Sequence, residues 1–216
     1  MTDDMTPGLA ATAPSAASRS DDVRFVVNAP FCILAVCTGN ICRSPALERL
    51  LTTALGPDSG VRIVSAGLQA VVGAPIHAPM AELLEVRGVD TANFAARQLE
   101  PDLVKQADLV IGFTRRHRAA AVTMYPAAVR HTFTLLELAR AIAAVEPYEV
   151  TRRAGQSASL SRRLQELVPL AVAHRSYADP ELDDVEDPYG QAPEVYERVF
   201  GQILGAADPL YRAIVG

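Results

Sequence analysis

Residues 31–45 read FCILAVCTGNICRSP. Phe31 to Cys37 is an unbroken apolar run of strand length, the pattern of a strand buried on both faces of a parallel sheet. Thr38-Gly39-Asn40 ends the run. Ser44-Pro45 then reads as an N-cap followed by a first helical residue, opening an amphipathic helix through Leu55 that Gly56-Pro57 stops. In an open α/β sheet, ligands bind beyond the carboxyl ends of the strands, so the loop between this strand and this helix is placed for a site.

The same alternation recurs downstream. Val61 to Ser65 reads as a strand, and Ile76 to Arg87 as a helix closed by Gly88. Ala107 to Phe113 reads as a third strand, followed by a helix from Arg115 to Met124 ahead of Pro126. Val129 to Phe133 reads as a fourth strand, leading into a helix from Leu135 to Val145. Strands alternating with helices imply an α/β fold, a three-layer sandwich whose four-stranded parallel sheet is joined by right-handed crossovers. From about residue 146 to 178 the rhythm breaks. That segment reads as a surface insertion with one short helix, Leu160 to Val168, ending before Pro169. A terminal helix spans Pro193 to Ile214, with Val195, Val199, Ile203 and Leu204 at helical spacing. Residues 1–28, rich in Ala, Thr, Ser, Pro and Asp, read as a flexible leader, leaving 29–216 as a single domain that carries the insertion.

Composition narrows the function. Among 216 residues, 20 are basic and 25 acidic, without the basic footprint of a nucleic-acid binder. Half of the residues are hydrophobic and the formal net charge is only −5, which argues against wholesale disorder. No apolar run reaches the roughly 18 residues of a membrane span, and the first residues lack the pattern of a secretory signal. Three cysteines are too few for a disulfide scaffold, and all lie between Cys32 and Cys42. His77, His117, His131 and His174 have no metal-ligand spacing and read as surface or satisfied residues. The expectation is a cytoplasmic protein without metal or organic cofactor, working as a monomer.

The loop from Cys37 to Ser44 carries the chemistry. A loop that wraps into a helix N-terminus points several N–H groups at one spot, backed by the positive end of the helix dipole, and forms a cradle sized for phosphate. Gly39 is expected to let the backbone turn where a side chain would clash. Arg43 can fork two donors onto phosphate oxygens. A field that holds phosphate also favours a thiolate at Cys37, and a thiolate facing a phosphoryl group can attack phosphorus. Charge on the equatorial oxygens would then be stabilised by the amides of residues 38–43 (Thr38, Gly39, Asn40, Ile41, Cys42 and Arg43). The loop lacks the Gly-Lys-Ser/Thr ending of a Walker A motif.

A proton donor is needed for the leaving group and a base for water, and one carboxyl can serve both in turn. Asp179 to Asp187 holds six acidic residues in nine. Asp179-Pro180 and Asp187-Pro188 stand out, because proline holds the preceding residue extended. Clustered carboxylates are also expected to raise one another's pKa.

Cys37 to Pro45, CTGNICRSP, resembles the signature of the low molecular weight protein tyrosine phosphatases. Ser65-Ala66-Gly67, Ala96-Arg97-Gln98-Leu99, Ala107-Asp108-Leu109-Val110 and Asp187-Pro188-Tyr189-Gly190 follow in family order, over roughly residues 31–212 outside the insertion. The resemblance implies a phosphomonoester hydrolase acting on phosphotyrosine proteins through a phosphocysteine. It makes Cys37 the nucleophile, Arg43 the phosphate clamp and Ser44 the hydroxyl that helps hold the thiolate. Asn40 and Ser65 would belong to the network that fixes the loop. It also selects Asp187, followed by Pro and an aromatic shortly before the last helix, as the general acid.

The chain departs from the family pattern at three places. Val71-Val72 stand where an aromatic often stacks on the substrate, which leaves Tyr189 as the stacking wall. Gly190 stands where a second tyrosine often sits. Phe94 replaces a histidine that is common there. Cys42 reads as a buried small side chain or as a reversible disulfide partner that protects Cys37. Two other functions compete. A thiol-dependent arsenate reductase on this fold needs downstream cysteines, and none follows Cys42. A catalytically silent phosphate-binding module would be expected to have lost Cys37, Arg43 or the acid.

Overall fold

The computed structural model describes residues 30–175 and 180–215. The expected leader lies outside these residues. Four parallel strands, β1 (Phe31–Cys37), β2 (Val61–Gly67), β3 (Leu109–Gly112) and β4 (Thr132–Thr134), form one sheet in the order β2-β1-β3-β4. Seven register pairs, from Phe31↔Val61 to Cys37↔Gly67, join β1 to β2, while Val36 pairs with Gly112 of β3.

β1 is central and every one of its residues is buried. Phe31, Ile33, Ala35 and Cys37 face a large core, and Leu34 and Val36 face a smaller one. That two-residue period explains why the run carries no polar position. The larger core packs against α1 (Arg43–Leu55), α2 (Ala78–Glu85), α5 (Leu135–Ala143), α6 (Pro147–Ala154), α7 (Leu160–Ala173) and α8 (Pro193–Val215). The smaller core packs against α3 (Pro101–Gln106) and α4 (Arg115–Met124). Helices therefore cover both faces of the sheet, as a three-layer α/β sandwich requires. The chain leaves β1 toward β2 on one side and returns to β3 on the other, so the sheet's switch point lies between the carboxyl ends of β1 and β3.

Several sequence expectations need correction. The described part of the expected insertion, 146–175, is not a surface excursion: α6 and α7 place Val150, Leu164, Leu167, Leu170 and Ala171 in the main core, while 176–178 lie outside the described residues. α7 also runs through Pro169 rather than stopping before it. The proline ring is exposed, and an interior proline costs about 3 kcal/mol. Burial of leucines on the opposite side returns roughly 1.5–3 kcal/mol each and outweighs it. The fourth strand is Thr132–Thr134, because 126–131 is a 3-10 turn started by Pro126 that leaves Val129 44% exposed. β3 begins at Leu109. Asp108 ahead of it uses its carboxylate to accept the Cys32 N–H at 2.8 Å. α2 and α5 are each shorter at their ends than the periodicity predicts. Among the described residues, no helix is long and apolar enough to cross a membrane.

Candidate active site

At the switch point a pocket of about 210 Å³ is lined by Cys37, Thr38, Gly39, Ile41, Cys42, Arg43, Gln69, Val71, Asp187 and Tyr189. Eight of these are candidates from the sequence; Gln69 carries no sequence signal, and Val71 is marked there only by the aromatic it lacks. Asn40, Ser44 and Ser65 do not line the pocket, and each is fully buried behind it.

Those three form the scaffold of the loop. Asn40 adopts the left-handed conformation at φ 54°, which turns its N–H back to the Cys37 Sγ at 3.3 Å. Its Oδ1 accepts the Arg97 backbone N–H at 2.8 Å, and this fixes the orientation of the amide. Nδ2 must then donate, to Ser44 Oγ at 2.9 Å and to Ser65 Oγ at 2.7 Å. With its oxygen receiving the amide, the Ser44 hydroxyl is free to donate to the Cys37 sulfur 2.9 Å away. The Ser65 hydroxyl donates to Glu48 Oε2 at 2.5 Å. The network thus points two donors at one sulfur atom. Glu48 is itself buried, which pushes its pKa up, against the opposing pull of the Ser65 hydrogen bond and Arg97. Phe94, in the place of the common histidine, takes no part. It is buried in the core beneath the Arg49 guanidinium.

Two expectations about the loop change. Ser44 is not the N-cap of α1. Cys42 holds that position without a side-chain cap, and no acidic residue occupies the first turn, so the positive end of the helix has no neutralising side chain of its own. Gly39 is not the tight spot either: a Cβ there would meet the Ile41 side chain at an ordinary 3.4 Å. The close approach falls at Gly67, where a Cβ would stand 2.5 Å from the Thr38 carbonyl oxygen and 3.0 Å from the Asn40 nitrogen. Only glycine at the end of β2 lets the loop lie against the sheet.

Arg43 is 3% exposed. Nη1 donates to the Val185 carbonyl at 3.0 Å and Nη2 to Asp187 Oδ2 at 2.5 Å. Nε is buried and has no partner among the described residues. That leaves one charged donor of Arg43 able to take an anionic ligand. Asp187 also accepts the Tyr189 N–H through Oδ1 at 3.2 Å.

The acidic stretch is arranged otherwise than its clustering suggests. Each described carboxylate faces an arginine from a different helix: Asp183 with Arg140, Asp184 with Arg115, Glu186 with Arg198 and Asp187 with Arg43. Mutual crowding of carboxylates is therefore not what sets their environment. Asp179, the alternative acid, lies outside the described residues.

Two of the four histidines join the site. His117, one turn into α4, is 2% exposed and bridges Thr38 Oγ1 through Nε2 at 3.0 Å and Thr114 Oγ1 through Nδ1 at 3.0 Å. Burial, aided by Arg43 and Arg116, pushes its pKa down to about 4, so it is neutral. The signal was its place just after β3, at the switch point. His77 sits beside Tyr189 and Tyr196. All three cysteines are free. Cys42 is pushed up to about 12 by burial and by the neighbouring Cys37 and Asp187, and it remains a thiol.

The comparisons with known proteins agree with this arrangement. A family model described as low molecular weight phosphotyrosine protein phosphatase matches residues 32–153, more than half of the chain. The probable low molecular weight protein-tyrosine-phosphatase EpsP of Ralstonia nicotianae is 36% identical over 106 residues, 49% of this chain and 71% of that protein. A protein-arginine-phosphatase of Geobacillus stearothermophilus is 39% identical over 108 residues, 49% of this chain and 70% of that one. The crystal structure of the Erwinia amylovora tyrosine phosphatase AmsI superposes with a TM-score of 0.60 and 25% identity, over 86% of this chain and 93% of that one. From its loop signature to its sheet order, the chain belongs to the low molecular weight phosphotyrosine protein phosphatase family and is a phosphatase.

Proposed function

We propose that the protein hydrolyses phosphotyrosine in protein substrates through a phosphocysteine on Cys37. One observation carries the reading: the Cys37 sulfur, held by Ser44 and Asn40, shares a single pocket with Arg43 and Asp187. The Cys37 thiolate attacks phosphorus, forming the S–P bond as the bond to the tyrosyl oxygen breaks. Asp187, protonated, gives its proton to that oxygen. The loop amides and Arg43 hold the three equatorial oxygens, with Arg43 Nη2 exchanging the Asp187 carboxylate for phosphate as substrate arrives. Ionised Asp187 then takes a proton from water, whose oxygen bonds to phosphorus while the S–P bond breaks and the thiolate returns. The route calls for no metal or organic cofactor.

The substrate class rests on the pocket walls. The relatives' names include both a tyrosine and an arginine phosphatase. Here Ile41, Val71 and Tyr189 offer apolar and aromatic surface, and among the described residues Asp187 is the one carboxylate in the lining, which the leaving-group proton already engages. A flat apolar ring suits these walls, whereas a phosphoguanidinium would leave donors without acceptors. Free thiols at the reacting loop suit a reducing compartment, the cytoplasm. The pocket is complete within one chain, as a monomer requires. Steady-state kinetics on matched phosphotyrosine and phosphoarginine peptides test the reading: kcat/KM is expected to favour phosphotyrosine. Preference for phosphoarginine overturns the substrate class.

A further inference from the structure

Tyr189 is the aromatic wall of the pocket, yet it is 58% exposed, so burial does not hold its ring in place. The ring contact that the structure supplies is His77. The two rings meet edge-on, with centroids 5.2 Å apart and planes at 68°.

His77 is in turn anchored from three directions. Its backbone N–H donates to the Ile41 carbonyl of the phosphate loop at 2.8 Å. Its Nδ1 hydrogen-bonds the Tyr196 hydroxyl at 3.1 Å, and its ring lies over that of Tyr196, with centroids 5.8 Å apart and planes at 17°. Tyr196 is a 2% exposed residue of α8. As the residue that opens α2, His77 has its carbonyl tied up by Met80 and Ala81. One half-buried imidazole therefore links the phosphate loop, α2 and α8 to an otherwise exposed tyrosine.

We propose that His77 is a specificity-determining positioning residue: it fixes Tyr189 as one wall of a slot for an aromatic leaving group. The inference rests on the aryl-phosphate reading above. An edge-to-face pair is directional, so it selects one ring orientation where general apolar contact would tolerate many. Tyr189 donates its backbone N–H to the Asp187 carboxylate, whereas His77 meets only the Tyr189 ring, so the acid keeps that contact when the ring loses its partner. Phosphate itself is held by the loop and Arg43, which His77 does not touch through its side chain.

The test compares wild type, His77→Ala and His77→Phe on a phosphotyrosine peptide and a phosphoserine peptide, with inorganic phosphate as a competitive inhibitor. In His77→Ala, KM for phosphotyrosine is expected to rise about 3- to 10-fold, the range an edge-to-face pair commands. The phosphoserine KM, the phosphate inhibition constant and kcat are expected to stay within about twofold. His77→Phe keeps a ring against Tyr189 and is expected to restore the phosphotyrosine KM. Equal losses on both peptides with weaker phosphate inhibition would mean a purely structural role and overturn the proposal. So would a phosphotyrosine preference that survives His77→Ala unchanged. Wild-type enzyme that does not prefer phosphotyrosine to phosphoserine would overturn the aryl reading itself, and the proposal with it.

Discussion

Asn40 is fully buried and its amide bonds only neutral partners, whereas Asp187, across the same pocket, leaves 49% of its side chain exposed and leans on Arg43. The contrast extends to the segments around them. The phosphate loop is held by hydroxyls, amides and a neutral histidine, out of reach of salt. The 183–187 segment is pinned at the buried Val185, and its carboxylates are held by arginine pairs, two of them on the surface, which salt screens and which exchange at little cost. A phosphoryl group needs a cradle that does not reorganise. An acid that must leave Arg43, donate a proton and later take one back needs the opposite.

That division can be broken most severely at the loop. Cys37→Ser is expected to lower turnover of an aryl phosphate in EDTA by at least about 10³-fold, since the loss removes the nucleophile rather than a supporting contact. Phosphate should still bind, as a competition assay would register. Asn40→Ala deletes three side-chain hydrogen bonds in a buried site. At about 1 kcal/mol each, it should cost roughly 3 kcal/mol in urea unfolding and reduce kcat tenfold or more.

His117 sharpens the comparison through pH. Its folded pKa of about 4 lies below the ordinary 6.5, so the unfolded chain binds more protons between those values. The stability tied to this neutral histidine is complete above about pH 6.5 and is lost as pH falls toward 4. Denaturant titrations should show wild type losing roughly 2 to 4 kcal/mol more than His117→Asn over that window. The smallest effect belongs to the exposed pair. Arg198→Ala removes the partner of Glu186, and melting should detect less than about 1 kcal/mol, with kcat changed less than about twofold.

What the sequence disclosed, and what it did not, follows the same physics. β1 was legible because a strand buried on both faces can carry no polar residue, and the loop was legible because its glycine, arginine and cysteine are contiguous. The role of Gly67 was not, since its constraint comes from Thr38 and Asn40 of another segment. His117 reaches Thr38 across 79 residues of chain, a pairing that no local pattern encodes. α6 gives little signal because it buries a single residue, Val150, and the end of α7 is hidden because Pro169 reads as a terminator unless its exposed face is known. Asp187 could be separated from Asp179 only by resemblance, because clustering alone gives both the same standing.

The central claim is that Cys37 carries the phosphoryl group. Rapid-quench mass spectrometry of Asp187→Ala, in which water is poorly activated, tests it after mixing with an aryl phosphate. The account predicts one phosphoryl adduct on the peptide containing Cys37, formed in EDTA and decaying as phosphate appears. Turnover with no adduct on Cys37, or an adduct on any other residue, would contradict it.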